Sequence, residues 1–164
     1  MEDFSTYYDN YKSIVAAQPE FIPELRKNVN QVVEQKQLIP LMNDLKWLKL
    51  QYSIKKDFTF PPAYLVKCVT DEAEPDTRNF RKNVPCYHGA WSNYYEEGMP
   101  VLFAIEWLEV YPKLEIVQGR LIEGKVIDES EKFEQLLTKL RIPYEQTANT
   151  FRLFGYKTGQ AKRS

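Results

Sequence analysis

The spacing of apolar positions splits the chain into a helical opening and a mixed remainder. Phe21, Leu25, Val29 and Val32/Val33 recur at three- and four-residue steps, which draws one apolar stripe along a helix. Pro23 falls near its start, where a missing N–H costs nothing. A shorter helix is predicted from Ser5 to Ala17, with Tyr8, Tyr11, Ile14 and Val15 on one face and Pro19 separating it from the second. After the break at Pro40, LMNDLKWLKLQYS (41–53) predicts a helix capped by Asn43 or Asp44 and carrying Trp47, Leu48 and Leu50.

Period-two patterning follows. PAYLVKCVTD (62–71) predicts a strand, with Tyr64, Val66 and Cys68 on one face and Leu65, Lys67 and Val69 on the other. Residues 71–83 have no periodicity and predict a loop, whereas CYHGAWSNYYEE (86–97) predicts a strand with an exposed face. The strongest strand is Leu102 to Tyr111. Strict alternation there puts Phe103, Ile105, Trp107, Glu109 and Tyr111 on one face and Leu102, Ala104, Glu106, Leu108 and Val110 on the other. On that reading Glu106 and Glu109 point to opposite sides and cannot act together on one bond.

Beyond Pro112 another strand is expected at 114–117 or 120–122, with turns at Gly119 and Gly124. Asp128 or Ser130 then caps a helix whose core stripe is Phe133, Leu136, Leu137 and Leu140. Residues 142–156 read as a hairpin around Ala148 and Asn149. The order predicts an α+β fold: a mostly antiparallel sheet with helices packed on one face, plus an N-terminal helical arm. The expected division is an arm over 1–36, an α+β domain over 37–157 and a disordered basic tail over 158–164.

Composition adds limits. With 164 residues, 43% of them hydrophobic, the chain can build one core. A net charge of −1 supplies no field that would draw nucleic acid or an anionic membrane. No apolar run approaches the ~20 residues that span a bilayer. The acidic, aromatic N-terminus lacks a basic region followed by an apolar core, so no secretory signal is expected. Cys68 and Cys86 read as free thiols of a reducing compartment, which makes a cytoplasmic location the expectation.

Candidate catalytic groups are sparse. Cys86 and His88, with Cys68 upstream, lack the paired spacing of structural zinc sites. In a strand, Cys86 and His88 would stand about 6–7 Å apart, too far for a direct hydrogen bond. Glu123-Gly-Lys125 imitates half of a metal-dependent nuclease pattern, but Glu34-Gln-Lys36 matches it equally well. There is no glycine-rich phosphate loop and no G-x-S-x-G. No cofactor and no metal is expected, and the reading leans away from an enzyme. The alternatives kept are a metal-dependent hydrolase using Glu106, Glu109, Glu123 or His88, and a structural protein oligomerising through the arm.

The unusual stretch is 87–97. Tyr87, Trp91, Tyr94, Tyr95, Glu96 and Glu97 are interleaved with small polar residues, either as a half-buried edge strand or as a binding surface. Together with Asp71, Glu72, Glu74 and Asp76 of the acidic loop they make the predicted partner-binding set.

LIPLMNDLKWLKL (38–50), PAYLVKCVTDE (62–72), the Trp91 and Tyr94-Tyr95 segment, AIEWLEVYP (104–112) and IPYEQTANTFRLFGY (142–156) together resemble a family of small uncharacterised bacterial proteins. Leu45, where a small polar residue is more usual, and the helical arm depart from its pattern. The general build is similar to the immunity proteins that neutralise polymorphic bacterial toxins. That resemblance implies a non-enzymatic protein that occludes a cognate toxin, with a possible homodimer through the N-terminal helices.

Overall fold

The computed structural model describes residues 2–93, 95–119 and 122–159. Two helices open it, α1 (Phe4–Ala16) and α2 (Phe21–Gln35). Asp3 caps α1 by accepting the Thr6 N–H at 2.8 Å. Both expected apolar stripes face the interior, through Tyr8, Tyr11 and Val15 in α1 and Leu25, Val29, Val32 and Val33 in α2, but each is shifted at one edge. Tyr7 and Tyr11 are buried in α1, with Tyr8 half-buried; Ile22 and Val29 are buried in α2, while Phe21 is 49% exposed. An amphipathic stripe is broad, and the neighbouring element decides which edge of it is covered.

For α1 that neighbour is α3 (Asp44–Asp57). The Tyr7 hydroxyl donates to Gln51 Oε1 and the Tyr11 hydroxyl to Asp44 Oδ2, both at 2.7 Å. Asn43 caps α3 by accepting the Lys46 N–H at 2.9 Å. The arm is therefore packed onto the domain: Tyr7 and Tyr11 belong to the same apolar cluster as Trp47, Leu48, Leu108 and Phe133.

The main sheet has the order β2-β3-β7-β6 and is antiparallel throughout. Its strands are β2 (Ala63–Cys68), β3 (Ile105–Tyr111), β6 (Tyr144–Gln146) and β7 (Phe151–Phe154). Helices α3 and α5 (Ser130–Leu140) contribute Leu50, Ile54, Phe133 and Leu137 to the cluster formed with Leu108, Val110 and Leu153 of the sheet. This is the α+β class expected, with α3 and α5 together on one face of the sheet. Two small sheets flank it. Strand β1 (Leu38–Pro40) pairs with β8 (Tyr156–Thr158), and β4 (Lys113–Ile116) pairs with β5 (Lys125–Asp128). Thr158 thus lies in a strand, opposite Leu38, where a disordered tail was expected; 160–164 lie outside the described residues.

Three local expectations are corrected. Within 71–83 there is a short helix, α4 (Thr77–Lys82), capped by Asp76 and anchored by buried Phe80. Segment 86–97 contains no strand among its described residues. Its aromatics do not alternate across a pleat: Trp91 is buried while Tyr87 is 55% exposed.

The third correction concerns the glutamates. Leu102–Ala104 is a 3-10 turn, and the β2–β3 register shifts between Lys67 and Cys68. Lys67 pairs with Trp107 but Cys68 pairs with Ile105, so Glu106 is the extra residue of a β-bulge. The bulge resets the alternation. Ile105 joins Leu108 and Val110 in the helix-facing cluster, and Glu106 turns to the side of Lys67, which is also the side of Glu109.

Gly155 makes this geometry possible. Its N–H donates to the Glu106 carbonyl at 2.8 Å, and a Cβ there would lie 2.1 Å from the Ile105 carbonyl oxygen.

No helix of the described residues is long and apolar enough to cross a membrane.

Candidate functional site

The two glutamates are already engaged. Glu109 is completely buried. Arg81 of α4 grips it with Nε to Oε2 at 2.5 Å and Nη2 to Oε1 at 2.7 Å, in the forked geometry suited to a carboxylate. Thr150 Oγ1 donates at 2.9 Å and Arg152 Nε at 3.0 Å. The Arg152 guanidinium also stacks 3.8 Å from the centre of the Trp107 ring. Burial pushes the Glu109 carboxyl up, but hydrogen bonds from Arg81, Thr150 and Arg152 outweigh it and hold the group below the usual carboxylate range. Glu106 accepts from buried Lys67 at 2.8 Å. Glu106 is thus paired with a cation. With four donors on Glu109, this arrangement ties α4 and β7 to β3 and leaves Glu109 no coordination site for a ligand.

The thiols and the imidazole do not assemble either. Cys86 and His88 are exposed, and Cys68 is half-buried with its thiol pushed up to about 11 by burial and by Asp71. A thiol at that value holds almost no thiolate at neutral pH. Among the described residues no group of three or more His, Cys, Asp or Glu side chains is placed to hold a metal ion.

The predicted partner-binding residues separate into distinct roles. Asp71 Oδ2 accepts the Cys68 N–H at 2.9 Å and closes the turn after β2. Asp76 caps α4. Glu72 and Glu74 are exposed. Trp91 is 3% exposed, donates its indole N–H to the Pro62 carbonyl at 2.7 Å, and meets Tyr64 edge-on. It therefore packs the interior. Tyr94 lies outside the described residues.

Tyr95, Glu96 and Glu97 are brought together with residues that the sequence reading did not select. They line a cleft of about 540 Å³ whose opposite wall is Ile14 of α1, Gln18 of the α1–α2 connection and Phe21 of α2. The Phe21 and Tyr95 rings stand 6.5 Å apart. Glu96 and Glu97 are exposed at the rim. The Tyr95 hydroxyl is buried and has no hydrogen-bond partner among the described residues; burial and the nearby Asp44 carboxylate raise it above the ordinary phenol value. No signal in the sequence marked this wall: Phe21 and Ile22 both precede Pro23, and only the packing of α2 buries Ile22 and leaves Phe21 at the junction with α1.

No curated protein and no solved structure matches this chain. A family model does match, over residues 29–160, and it leaves α1 and the first half of α2 outside. The 95–97 wall of the cleft thus lies inside the matched region and the Phe21 wall before it. The match agrees with the resemblance to an uncharacterised family and carries no link to immunity proteins. On this match the chain belongs to the family of unknown function DUF6678.

Proposed function

We propose that this chain is a non-enzymatic binding protein that receives a basic, apolar-anchored segment of a partner protein in the cleft between α1, α2 and the 95–97 turn. The observation that carries this reading is the lining itself. Phe21, Ile14 and Tyr95 offer apolar surface, Phe21 half-exposed, and Glu96 and Glu97 set two exposed carboxylates at the rim. An aromatic anchor ringed by charge is the build of an interface hot spot, and the acidic rim selects a cationic partner. The saturated Glu109 weighs against the hydrolase alternative.

The finer proposal is that the partner is a bacterial toxin and the chain its immunity protein. It rests on the resemblance of build drawn from the sequence and on the acidic rim of the cleft. Many toxins of this kind are nucleases with basic clefts, which an acidic rim would complement. The test is co-expression and pull-down with the product of the neighbouring gene, using the wild type and a Phe21→Ala/Glu96→Lys/Glu97→Lys variant. Capture by the wild type and its loss in the variant are expected. A neighbour that is not toxic, together with no capture, would sink the immunity reading. Capture unaffected by the triple variant would sink the cleft.

A further inference from the structure

A second cavity opens against α1 and shares no lining residue with the cleft. It measures about 280 Å³, just under the range of roughly 300–1,000 Å³ in which drug-sized ligands sit, so it suits a smaller molecule. Its apolar surface comes from Tyr8 and Val15 of α1 and from Phe103 of the 3-10 turn. Two charged groups complete it: Arg26 of α2 and Asp44, the first residue of α3. Lys12 also borders it but is paired with Asp9 at 3.3 Å.

Both charged groups are held in place, and both keep bonding capacity. The Arg26 guanidinium stands 4.1 Å from the centre of the Phe103 ring, a cation–π contact that fixes its position. Among the described residues no carboxylate or carbonyl accepts a hydrogen bond from it. Asp44 Oδ2 accepts from the Tyr11 hydroxyl at 2.7 Å, and Oδ1 takes no hydrogen bond among the described residues. No ion pair joins Arg26 to Asp44, although both act on one hydroxyl. Burial and the Asp44 carboxylate push the Tyr11 phenol above its ordinary value, and Arg26 draws it back. An unpaired cation and an open carboxylate oxygen therefore border one small cavity with apolar walls.

We propose that this cavity binds a free α-amino acid with an apolar side chain. Arg26 donates a forked pair of hydrogen bonds to the ligand's α-carboxylate, and Asp44 Oδ1 accepts from its α-ammonium. The side chain lies against Tyr8, Val15 and Phe103. The charges select this class over its neighbours. A simple anion would satisfy Arg26 but stand against the Asp44 carboxylate. A simple amine would satisfy Asp44 but stand against Arg26 and Lys12. An uncharged molecule would pair with neither charge and would gain affinity from contact area alone. A zwitterion satisfies both. Because Tyr8, Val15 and Arg26 belong to the two opening helices and Asp44 and Phe103 to the rest of the domain, the ligand bridges the two and should stabilise the folded chain by mass action.

The experiment is calorimetric titration and thermal unfolding of the full chain with L-leucine and L-phenylalanine, each up to about 10 mM to include weak binding. Each amino acid is compared with its amide, which keeps only the cation, and with its deaminated acid (4-methylpentanoate or 3-phenylpropanoate), which keeps only the anion. At least one amino acid should bind at one site per chain and raise Tm. Its two analogues should bind at least about tenfold more weakly, the loss for one charged hydrogen bond. Arg26→Gln and Asp44→Asn should each weaken the amino acid by a similar factor. Arg26 is exposed, and asparagine keeps an acceptor for Tyr11, so circular dichroism should show both variants folded. If Asp44→Asn does not fold, Arg26→Gln decides alone. No binding and no rise in Tm with either amino acid overturns the proposal. So does an analogue that binds as tightly as its amino acid, which would make this a simple anion or amine site, and so does binding that Arg26→Gln leaves unchanged. The readout is independent of the cleft, so failure here leaves the partner reading standing, and the reverse holds.

Discussion

At the scale of single residues, Glu109 is the side chain on which most depends. A fully buried carboxylate is tolerable only when its hydrogen-bonding capacity is met, and here two arginines and a threonine meet it. Glu109→Gln leaves Arg81 and Arg152 facing a neutral amide. It should cost about 3–5 kcal/mol in urea unfolding, the range for breaking one side of a buried ion pair. Glu106→Gln, at a partly exposed site with one cation, should cost about 1–3 kcal/mol. The pH dependence follows from the sign of the shift. Glu109 is depressed in the folded state, so its contribution is fully present above the unfolded carboxyl value of about 4.3 and is lost as pH falls through the lower folded value. The wild type should lose stability below about pH 4.3, and Glu109→Gln should flatten that slope. An unchanged acid slope in the variant would show that other carboxylates govern it.

At the scale of elements, the bulge in β3 decides which side chains meet. Without it, Glu106 would project into the apolar layer between the sheet and α3. Gly155 lets β7 and the start of β8 pass close enough to hold the bulge, so Gly155→Ala should force the backbone apart. It should destabilise by about 1–3 kcal/mol in thermal or denaturant unfolding, as overpacking against an unyielding group does. Gly124→Ala is the control. Its nearest neighbour is the flexible Glu115 side chain at 3.0 Å, so its effect should be much smaller. Helix α1 also acts at this scale. Removing residues 2–16 uncovers Gln51 and takes buried Tyr7 and Tyr11 from the core, which should lower stability by on the order of 3 kcal/mol or more.

At the scale of the whole molecule, the proposed partner site is the cleft, with its acidic rim and aromatic wall. Substitutions at Phe21, Glu96 and Glu97 remove exposed groups without core contacts, so they should change unfolding free energy by less than about 0.5 kcal/mol while abolishing capture. A large loss of stability in that variant would mean the cleft wall supports the arm and is not a free surface.

What the sequence determined by itself was whatever depends on near neighbours in the chain. The helices α1, α2, α3 and α5, the Asn43 cap and the 142–156 hairpin follow from local periodicity and capping chemistry, and so does the α+β class built from them. Tertiary structure decided everything that needed a partner far along the chain. The β1–β8 pairing joins residues more than a hundred positions apart, and α4 forms where Phe80 and Arg81 find Tyr111 and Glu109. A bulge is a mismatch between two strands, and a single strand's pattern contains no trace of it; strict alternation therefore set Glu106 and Glu109 apart when the fold puts them on one side. The cleft followed the same rule. The 87–97 segment was legible as unusual, but only the packing of α1 and α2 separated buried Trp91 from Tyr95, Glu96 and Glu97 and supplied Phe21 as their opposite wall.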